Sequence, residues 1–172
     1  MERTKIFSDM QPHLVRLYHL TAGILVRDKV VVELGTRSGH STTALLAAVN
    51  DSGGHLYCVD MTASCAKLFS GEPNWTFIHG DDRVVVKSWN KTIDHLFIDT
   101  THTFEHTIFE LREWGKWLKP HGVISLHDTH DAQERPIRPP MVAIKKYMEE
   151  NSGKFALMAF PESSGLSVLK RV

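Results

Sequence analysis

Short apolar runs alternate with amphipathic stretches along most of the chain. The run at residues 30–34 begins with three consecutive valines and ends just before a glycine, which is typical of a strand buried on both faces of a sheet. By the same criteria, strands are predicted at 30–34, 55–59, 75–79, 93–99, 123–126, 155–160 and 166–169. Helices are predicted at 9–21, 41–49, 61–69, 104–118 and 141–150. This alternation predicts an α/β fold with a mostly parallel sheet, whose last two strands form an antiparallel hairpin.

Two of the predicted helices carry a one-sided apolar stripe. In the first, the stripe packs on the edge of the domain or serves as a lid or subunit contact, and it consists of Met10, Leu14, Leu17 and Tyr18. In the helix at 104–118, Gly115 lies within the stripe and is expected to allow close approach to the sheet. Residues 119–122 are expected to break this helix.

The loop after the first strand contains Gly35 and Gly39, four residues apart. Glycine lets the chain turn sharply and lets a ligand approach bare backbone. The helix that follows, with Ser41 or Thr42 as its expected N-cap, would point free N–H groups at that ligand. Glu33 precedes the loop and favours a cationic ligand over a phosphate. A plain strand-to-helix turn without a ligand is the alternative.

Acidic residues follow other predicted strands. Asp60 lies 21 residues after Gly39, about where nucleotide-binding folds place a carboxylate on ribose hydroxyls. Its alternative role is to cap a helix that starts near Thr62. After the third strand, Asp82 is the expected N-cap of a further helix.

Asp99 and Asp128 end two strands expected to be neighbours in the sheet, so their carboxylates should converge at its carboxyl edge. Two carboxylates close together repel unless a proton or a cation lies between them. With His102 and His127 nearby, the sequence predicts a divalent cation, Mg²⁺ by its oxygen ligands, with Mn²⁺ or Fe²⁺ left open by the imidazoles. Alternatively, Asp128 caps the following loop and His102 only begins a helix.

The segment from Glu33 to Gly39 resembles the first motif of class I S-adenosylmethionine-dependent methyltransferases. Together with the stretches 97–105, 118–122 and 126–128, it is similar to the small bacterial methyltransferases of the cephalosporin hydroxylase and macrocin O-methyltransferase kind, from about residue 29 onward. The usual Asp-Gly-Asp-His stretch reads Asp-Thr-Thr-His at 99–102, and the usual Gly-Gly before the fifth strand reads His-Gly.

The resemblance implies a Rossmann-like seven-stranded methyltransferase sheet and a set of site residues. S-adenosylmethionine would lie over the loop and the next two strand ends, with Asp81 on the adenine; the cofactor residues are Glu33, Gly35, Thr36, Arg37, Gly39, Asp60, Met61 and Asp81. A metal held by Asp99, His127 and Asp128 would chelate a small-molecule hydroxyl acceptor, and His102 would act as base beside Asp99.

Composition narrows the remaining possibilities. The 172 residues fit one domain, 1–172, with a lead-in at 1–28 and a core at 29–172. Lysine plus arginine and aspartate plus glutamate each total 20, so no charge excess favours nucleic acid. No 18-residue apolar run or signal peptide is present, and two cysteines do not make a disulfide framework, which together predict a cytoplasmic protein without membrane partners. A homo-oligomer is left open.

The irregular segment 129–140 is the expected acceptor-binding region, where Arg135 or Arg138 would hold an acidic substrate group or remain solvated. Two other functions compete with methyl transfer. A nicotinamide oxidoreductase would use the same sheet and Asp60, but the missing third glycine and the terminal hairpin oppose it. A non-catalytic protein that binds an adenosyl ligand or assists assembly would fit the short chain. Some relatives of the resembling group are named for hydroxylation, which the fold does not decide.

Overall fold

The computed structural model describes residues 10–130 and 138–172. Within them the strands are β1 (Val30–Leu34), β2 (His55–Asp60), β3 (Trp75–His79), β4 (Ile93–Ile98), β5 (Leu118–His127), β6 (Phe155–Phe160) and β7 (Leu166–Arg171). The helices are α1 (Gln11–Ala22), α2 (His40–Ser52), α3 (Asp82–Val85), α4 (Phe104–Gly115) and α5 (Pro139–Glu150), and a 3₁₀ turn over Val86–Ser88 follows α3.

The strands form one seven-stranded sheet in the order β3-β2-β1-β4-β5-β7-β6. β1 pairs in parallel with β2 and β4, and β4 pairs in parallel with β5. β7 lies antiparallel between β5 and β6. The predicted fold class, a mostly parallel sheet with an antiparallel C-terminal pair, is confirmed. Because the order reverses at β1 and β4, the ends of these strands open onto a crevice where such sheets bind ligands.

Side chains of each central strand alternate between two apolar layers, as the pleat requires. On one face, Val31 of β1 packs with Leu17 of α1 and Leu45 of α2. On the other face, Val32 and its neighbours pack against α4 and α5, in a cluster that includes Leu111, Trp114 and Ile144. Helices therefore cover both faces of the parallel strands, and only the strand ends are left for polar chemistry.

Several predicted elements are wrong in kind or in extent. Residues 61–69 form bends and turns instead of a helix, and the carboxylate of Asp60 accepts hydrogen bonds from the backbone N–H and hydroxyl of Thr62, a local pairing that competes with a helix. α4 ends at Gly115 instead of 118. β5 begins at Leu118 instead of 123, so residues 119–122 end the helix as predicted but belong to the strand; His121 has a φ of +63°, and the register against β4 shifts between Ile93 and His95.

Gly115 makes room for a helix, which corrects the expectation that it faces the sheet. A Cβ at this position would lie 2.5 Å from the hydroxyl of Tyr147 on α5, whereas the nearest sheet atom, in Ile124, is 3.9 Å away. The glycine therefore sets how closely α4 and α5 approach, and it reaches the sheet only at ordinary contact distance.

The first helix is attached to the sheet by a buried polar chain. Thr21 of α1 lies 2.8 Å from Nδ1 of His95, and Nε2 of the same ring lies 2.7 Å from the hydroxyl of Ser125. All three side chains are inaccessible to solvent. Burial lowers the pKa of His95 from 6.5 to about 4, so the ring is neutral at physiological pH. No helix in the described part of the chain is long and apolar enough to span a bilayer.

The neutral, buried His95 should make the protein sensitive to acid. The unfolded chain binds a proton at His95 below pH 6.5, while the folded protein does so only near pH 4, so stability is full above 6.5 and falls as pH drops through this window. Relative to pH 7.5, this residue should remove about 2 kcal/mol of stability at pH 5. Urea unfolding at both pH values, in wild type and in His95→Gln, measures the difference. Equal losses in the two proteins would rule His95 out as the cause.

Candidate active site

Two clefts meet at the carboxyl ends of the parallel strands. The larger, of about 680 Å³, lies between the glycine loop and the ends of β4 and β5, and its lining includes Thr36, Ser41, Asp99, His102, His127 and Asp128. The smaller, of about 310 Å³, lies towards β2 and β3, and its lining includes Val59, Asp60, Met61, Asp82, Thr100 and His106. Gly35, Arg37, Asp99 and Thr100 border both clefts. All the predicted site residues at the ends of β2, β4 and β5 are brought to this edge.

Glu33 supports the loop from inside the protein and does not reach either cleft. Its carboxylate is fully buried and accepts hydrogen bonds from the hydroxyls of Ser41 and Thr42 and from the thiol of Cys58. Burial raises its pKa to about 7, although these hydrogen bonds oppose the shift. Because strand side chains alternate, Glu33 shares the face of Val31 and points under α2. The expectation that it contacts the ligand is therefore corrected.

The loop's glycines accommodate protein atoms. A Cβ on Gly35, whose φ is +82°, would lie 2.2 Å from the carbonyl oxygen of Asp99, and one on Gly39 would lie 2.7 Å from the ring of Phe69. Gly39 is itself the N-cap of α2, in a left-handed conformation. Neither Ser41 nor Thr42 caps the helix, because both hydroxyls are committed to Glu33. The close approach that these glycines permit is thus to the neighbouring strand end and ring.

Asp60 holds the loop in shape. One carboxylate oxygen accepts the backbone N–H groups of Thr36 (2.7 Å) and Arg37 (2.9 Å), and the other accepts that of Thr62 (2.7 Å). Burial would raise the pKa of Asp60, but these backbone hydrogen bonds outweigh it and lower the pKa. Asp60 borders the smaller cleft, and its predicted contact to a ribose stays a prediction. The alternative role holds in part, since the carboxylate accepts the N–H of Thr62 at the following turn.

The two acids after β3 are placed differently from the prediction. Asp81 is the N-cap of α3, accepts the N–H of Arg83 (2.9 Å) and pairs with the guanidinium of the same arginine. That pairing lowers the pKa of Asp81 to about 2. Asp82, which was expected to be the cap, is buried and borders the smaller cleft, whereas Asp81 does not border it. Asp82, and not Asp81, therefore lies at the smaller cleft.

Asp99 and Asp128 converge as predicted, with imidazoles between them. Nε2 of His102 lies 2.9 Å from Oδ1 of Asp99 and 3.3 Å from Oδ2 of Asp128. Nδ1 of His127 lies 3.1 Å from the same oxygen of Asp128 and 3.7 Å from Asp99. One oxygen from each carboxylate and Nε2 of His102 lie within 4.8 Å of one another, a spacing that a single ion could bridge.

The imidazoles and the carboxylates shift one another's pKa values. Burial opposes charge on His127, but hydrogen bonds to Asp128 and Asp99 outweigh it and raise its pKa to about 9. The hydrogen bond to Asp99 raises the pKa of His102. Burial would raise the pKa of Asp128, but the hydrogen bond to His127 and the charges around it lower this pKa to about 2. Arg138 pairs with the other oxygen of Asp128, Oδ1. Arg135 lies outside the described residues.

The backbone is strained where these groups lie. Arg37, His102 and Asp128 have positive φ values of 45°, 56° and 56°. Residues other than glycine rarely adopt this backbone region. Such conformations cost of order 1–3 kcal/mol each and persist only when the surrounding structure imposes them. Three non-glycine residues of this kind around one cleft are typical of a functional site.

Sequence reasoning missed the contribution of the first helix. Met10 borders the larger cleft. His13 is fully buried, donates to the carbonyl of Glu162 (2.7 Å) and places its ring 5.4 Å from that of His127. Met10 belonged to the predicted apolar stripe, but helical spacing does not tell which neighbour the stripe faces. The structure places α1 behind His127, on the wall of the larger cleft.

Solved structures with the same fold include several methyltransferases. A methyltransferase from Podospora anserina bound to S-adenosylhomocysteine superposes with a TM-score of 0.68 at 14% identity, covering 97% of this chain and 83% of that one. An rRNA methylase from Streptococcus thermophilus gives 0.67 at 15%, covering 98% and 99%. CalS11, the TDP-rhamnose 3′-O-methyltransferase of calicheamicin biosynthesis, gives 0.69 at 14%, covering 92% and 77%. At these identities the likeness shows the fold.

The sequence itself matches a family model described as a methyltransferase domain. The match covers residues 32–129, which is more than half of the chain and runs from β1 to the residue after Asp128. It includes the glycine loop, Asp60 and both carboxylates of the larger cleft, while the narrower subgroup inferred from sequence stays a prediction. The chain belongs to this methyltransferase domain family.

Proposed function

We propose that the protein transfers the methyl group of S-adenosylmethionine to a hydroxyl oxygen of a small molecule, such as a sugar, a diol or a catechol. The observation that carries the proposal is the convergence of Asp99, His102 and Asp128 in a cleft that borders the glycine loop. Family membership supports methyl transfer, and this cluster supports an oxygen acceptor, because it offers both a base and a place for a cation beside the acceptor.

The cofactor is assigned to the smaller cleft. Val59 and Met61 give this cleft apolar walls suited to an adenine ring, and Asp60 lies on its border for the ribose. The two clefts meet at Gly35 and Asp99, so a methyl group at the far end of the cofactor would face the larger cleft. Asp81 does not border this cleft and is withdrawn from the assignment, whereas Asp82, whose carboxylate is buried against His106, forms part of the cleft wall.

A divalent cation fits the donor set of the larger cleft. For metal–ligand bonds of about 2.1 Å, neighbouring ligands of an octahedral ion lie about 3 Å apart, and His127 Nδ1 to Asp128 Oδ2 is 3.1 Å. Arg138 occupies the other oxygen of Asp128 and leaves Oδ2 available. Asp99, Asp128 and His127 would hold the ion. When bound, it would lower the pKa of the acceptor hydroxyl and orient its oxygen.

His102 is assigned as the base because it is the accessible imidazole. Its side chain is 37% exposed, against 1% for His127. Its hydrogen bond to Asp99 raises its pKa, which makes the ring a stronger proton acceptor, and in its neutral form it would take the proton of the acceptor hydroxyl. Asp99 would orient the ring while this happens.

A small acceptor is favoured over nucleic acid. The 20 basic and 20 acidic residues give zero formal charge, whereas nucleic-acid binding draws most of its affinity from excess positive charge. The solved neighbours include both an rRNA methylase and a sugar O-methyltransferase, so the acceptor is decided by experiment.

The first test concerns the cofactor. Isothermal titration should show binding of S-adenosylhomocysteine and none of NAD. Asp60→Ala should weaken the binding of S-adenosylhomocysteine by at least tenfold, because about 2–4 kcal/mol of charge-assisted hydrogen bonding is lost. The matched control is Asp28→Ala, at the opposite edge of the sheet, which should bind like wild type.

A deoxyribose analogue of S-adenosylhomocysteine separates ribose binding from loop support. If Asp60 contacts the ribose, Asp60→Ala should cost the analogue much less affinity than it costs the parent compound. Equal losses for both ligands would mean that Asp60 acts only through Thr36 and Arg37. NAD binding that S-adenosylhomocysteine does not displace would overturn the cofactor assignment.

The second test separates the cation ligands from the base. His127→Gln, Asp99→Asn and Asp128→Asn should each weaken Mn²⁺ binding by roughly tenfold or more, because each removes a ligand or a formal charge. His102→Gln should leave Mn²⁺ affinity nearly unchanged and slow methyl transfer by ~10²–10⁴. Chelator should stop turnover without displacing S-adenosylhomocysteine.

Turnover is followed as release of S-adenosylhomocysteine with a panel of catechols, vicinal diols and glycosides, and with an rRNA fragment. His19→Gln, on the exposed side of α1, serves as the histidine control. If His102→Gln loses Mn²⁺ as His127→Gln does, His102 is a ligand and not the base. Methylation of the RNA alone would contradict the small-molecule proposal.

A further inference from the structure

A second group of ionisable side chains lies outside the Asp99 and Asp128 cluster. Nε2 of His106 lies 2.9 Å from Oδ1 of Asp82 and 3.5 Å from Oε1 of Glu110. These three ligand atoms all lie within 4.8 Å of one another. His106 and Glu110 are four residues apart on α4 and so share a face of the helix, while Asp82 comes from the segment after β3.

Two oxygens of this group are buried without a hydrogen-bond partner in the described residues, Oδ2 of Asp82 and Oε2 of Glu110. The side chains are only 8% and 0% exposed. A buried carboxylate oxygen that lacks a partner carries a large desolvation cost. These orphaned atoms indicate that the group is incomplete as it stands.

The two acids of the group share a single basic partner. Among the described residues, neither Asp82 nor Glu110 forms an ion pair with a lysine or an arginine, and Arg83 pairs with Asp81 instead. A divalent ion beside a neutral imidazole would balance two ionised carboxylates.

We infer that Asp82, His106 and Glu110 form a second divalent-cation site, one that binds a transition-metal ion such as Zn²⁺ or Co²⁺. Two carboxylates with one imidazole form a donor set that Zn²⁺ accepts at three protein positions, with water at the remaining one. Asp82 and His106 border the smaller cleft, through which an ion and its water can enter. The hydroxyl of Thr100 donates to Oε1 of Glu110 (2.8 Å) and orients this ligand.

An ion at this position would join α4 to the start of α3, where Asp82 lies. Both elements form one wall of the smaller cleft, so the ion would fix that wall without contacting the groups of the larger cleft. The site therefore depends neither on the proposed acceptor nor on the proposed base, and its test uses metal binding and thermal stability as readouts.

The test starts from the full chain with Asp99→Asn and Asp128→Asn, which removes the formal charge of the other cluster. Co²⁺ is titrated and followed by its visible absorption, and Zn²⁺ is then used to displace it. We expect one equivalent of Co²⁺ to bind and Zn²⁺ to raise the melting temperature. Adding His106→Gln or Glu110→Gln should weaken Co²⁺ binding by roughly a hundredfold or more, since even changes to residues around the ligands lower metal affinity 10–100-fold. Either change should also abolish the rise in melting temperature that Zn²⁺ causes. Adding His19→Gln should change neither.

Absence of Co²⁺ binding in the starting variant overturns the inference, and the group is then a proton-bridged ion triad. The inference is equally wrong if Co²⁺ binds as tightly after His106→Gln and Glu110→Gln as before. Circular dichroism checks that each variant is folded. A variant that is not folded is replaced by Asp82→Asn, which keeps the shape of the side chain and removes its charge.

Discussion

The turn after β1 has two backbone N–H groups that depend on one side chain for their acceptor. Those of Thr36 and Arg37 both donate to the carboxylate of Asp60. From beneath, Glu33 holds the first turn of α2 through Ser41 and Thr42. These two acids, from neighbouring strands, set the path of the glycine loop. Both clefts border that loop, so the geometry of the whole edge depends on them.

At the same edge of the sheet, imidazoles lie between pairs of carboxylates. Asp99 and Asp128 follow neighbouring parallel strands, so their side chains converge at the same edge of the sheet. His102 and His127 lie between them and form hydrogen bonds to them. At the smaller cleft, His106 likewise lies between the carboxylates of Asp82 and Glu110. The protein therefore repeats one arrangement, an imidazole between two acids, on either side of residues 99–100.

Sequence alone was sufficient to predict the sheet, because β-branched and alternating runs mark strands locally. It was also sufficient to place Asp60, Asp99 and Asp128 at one edge, because parallel strands end there. It failed where orientation depends on neighbours. Strand alternation could have placed Glu33 beneath α2 with Val31. Which of Asp81 and Asp82 turns inward depends on backbone angles that two adjacent acids do not reveal. His106 and Glu110 share a helix face, but their partner comes from another element, which no local pattern indicates.

The position of β7 has a consequence for how the protein is made. β5, which carries His127 and Asp128 at its end, gains its second neighbour only from Leu166–Arg171. The segment just after Asp128 is also held from there, since Thr129 and His130 donate to the carbonyls of Gly165 and Ser164. A ribosome releases β1, β2 and β4 long before this strand. The part of the edge formed by β1, β2 and β4 can thus be assembled while the nascent chain is still growing, whereas the part formed by the end of β5 is completed only when residues 164–171 have been added.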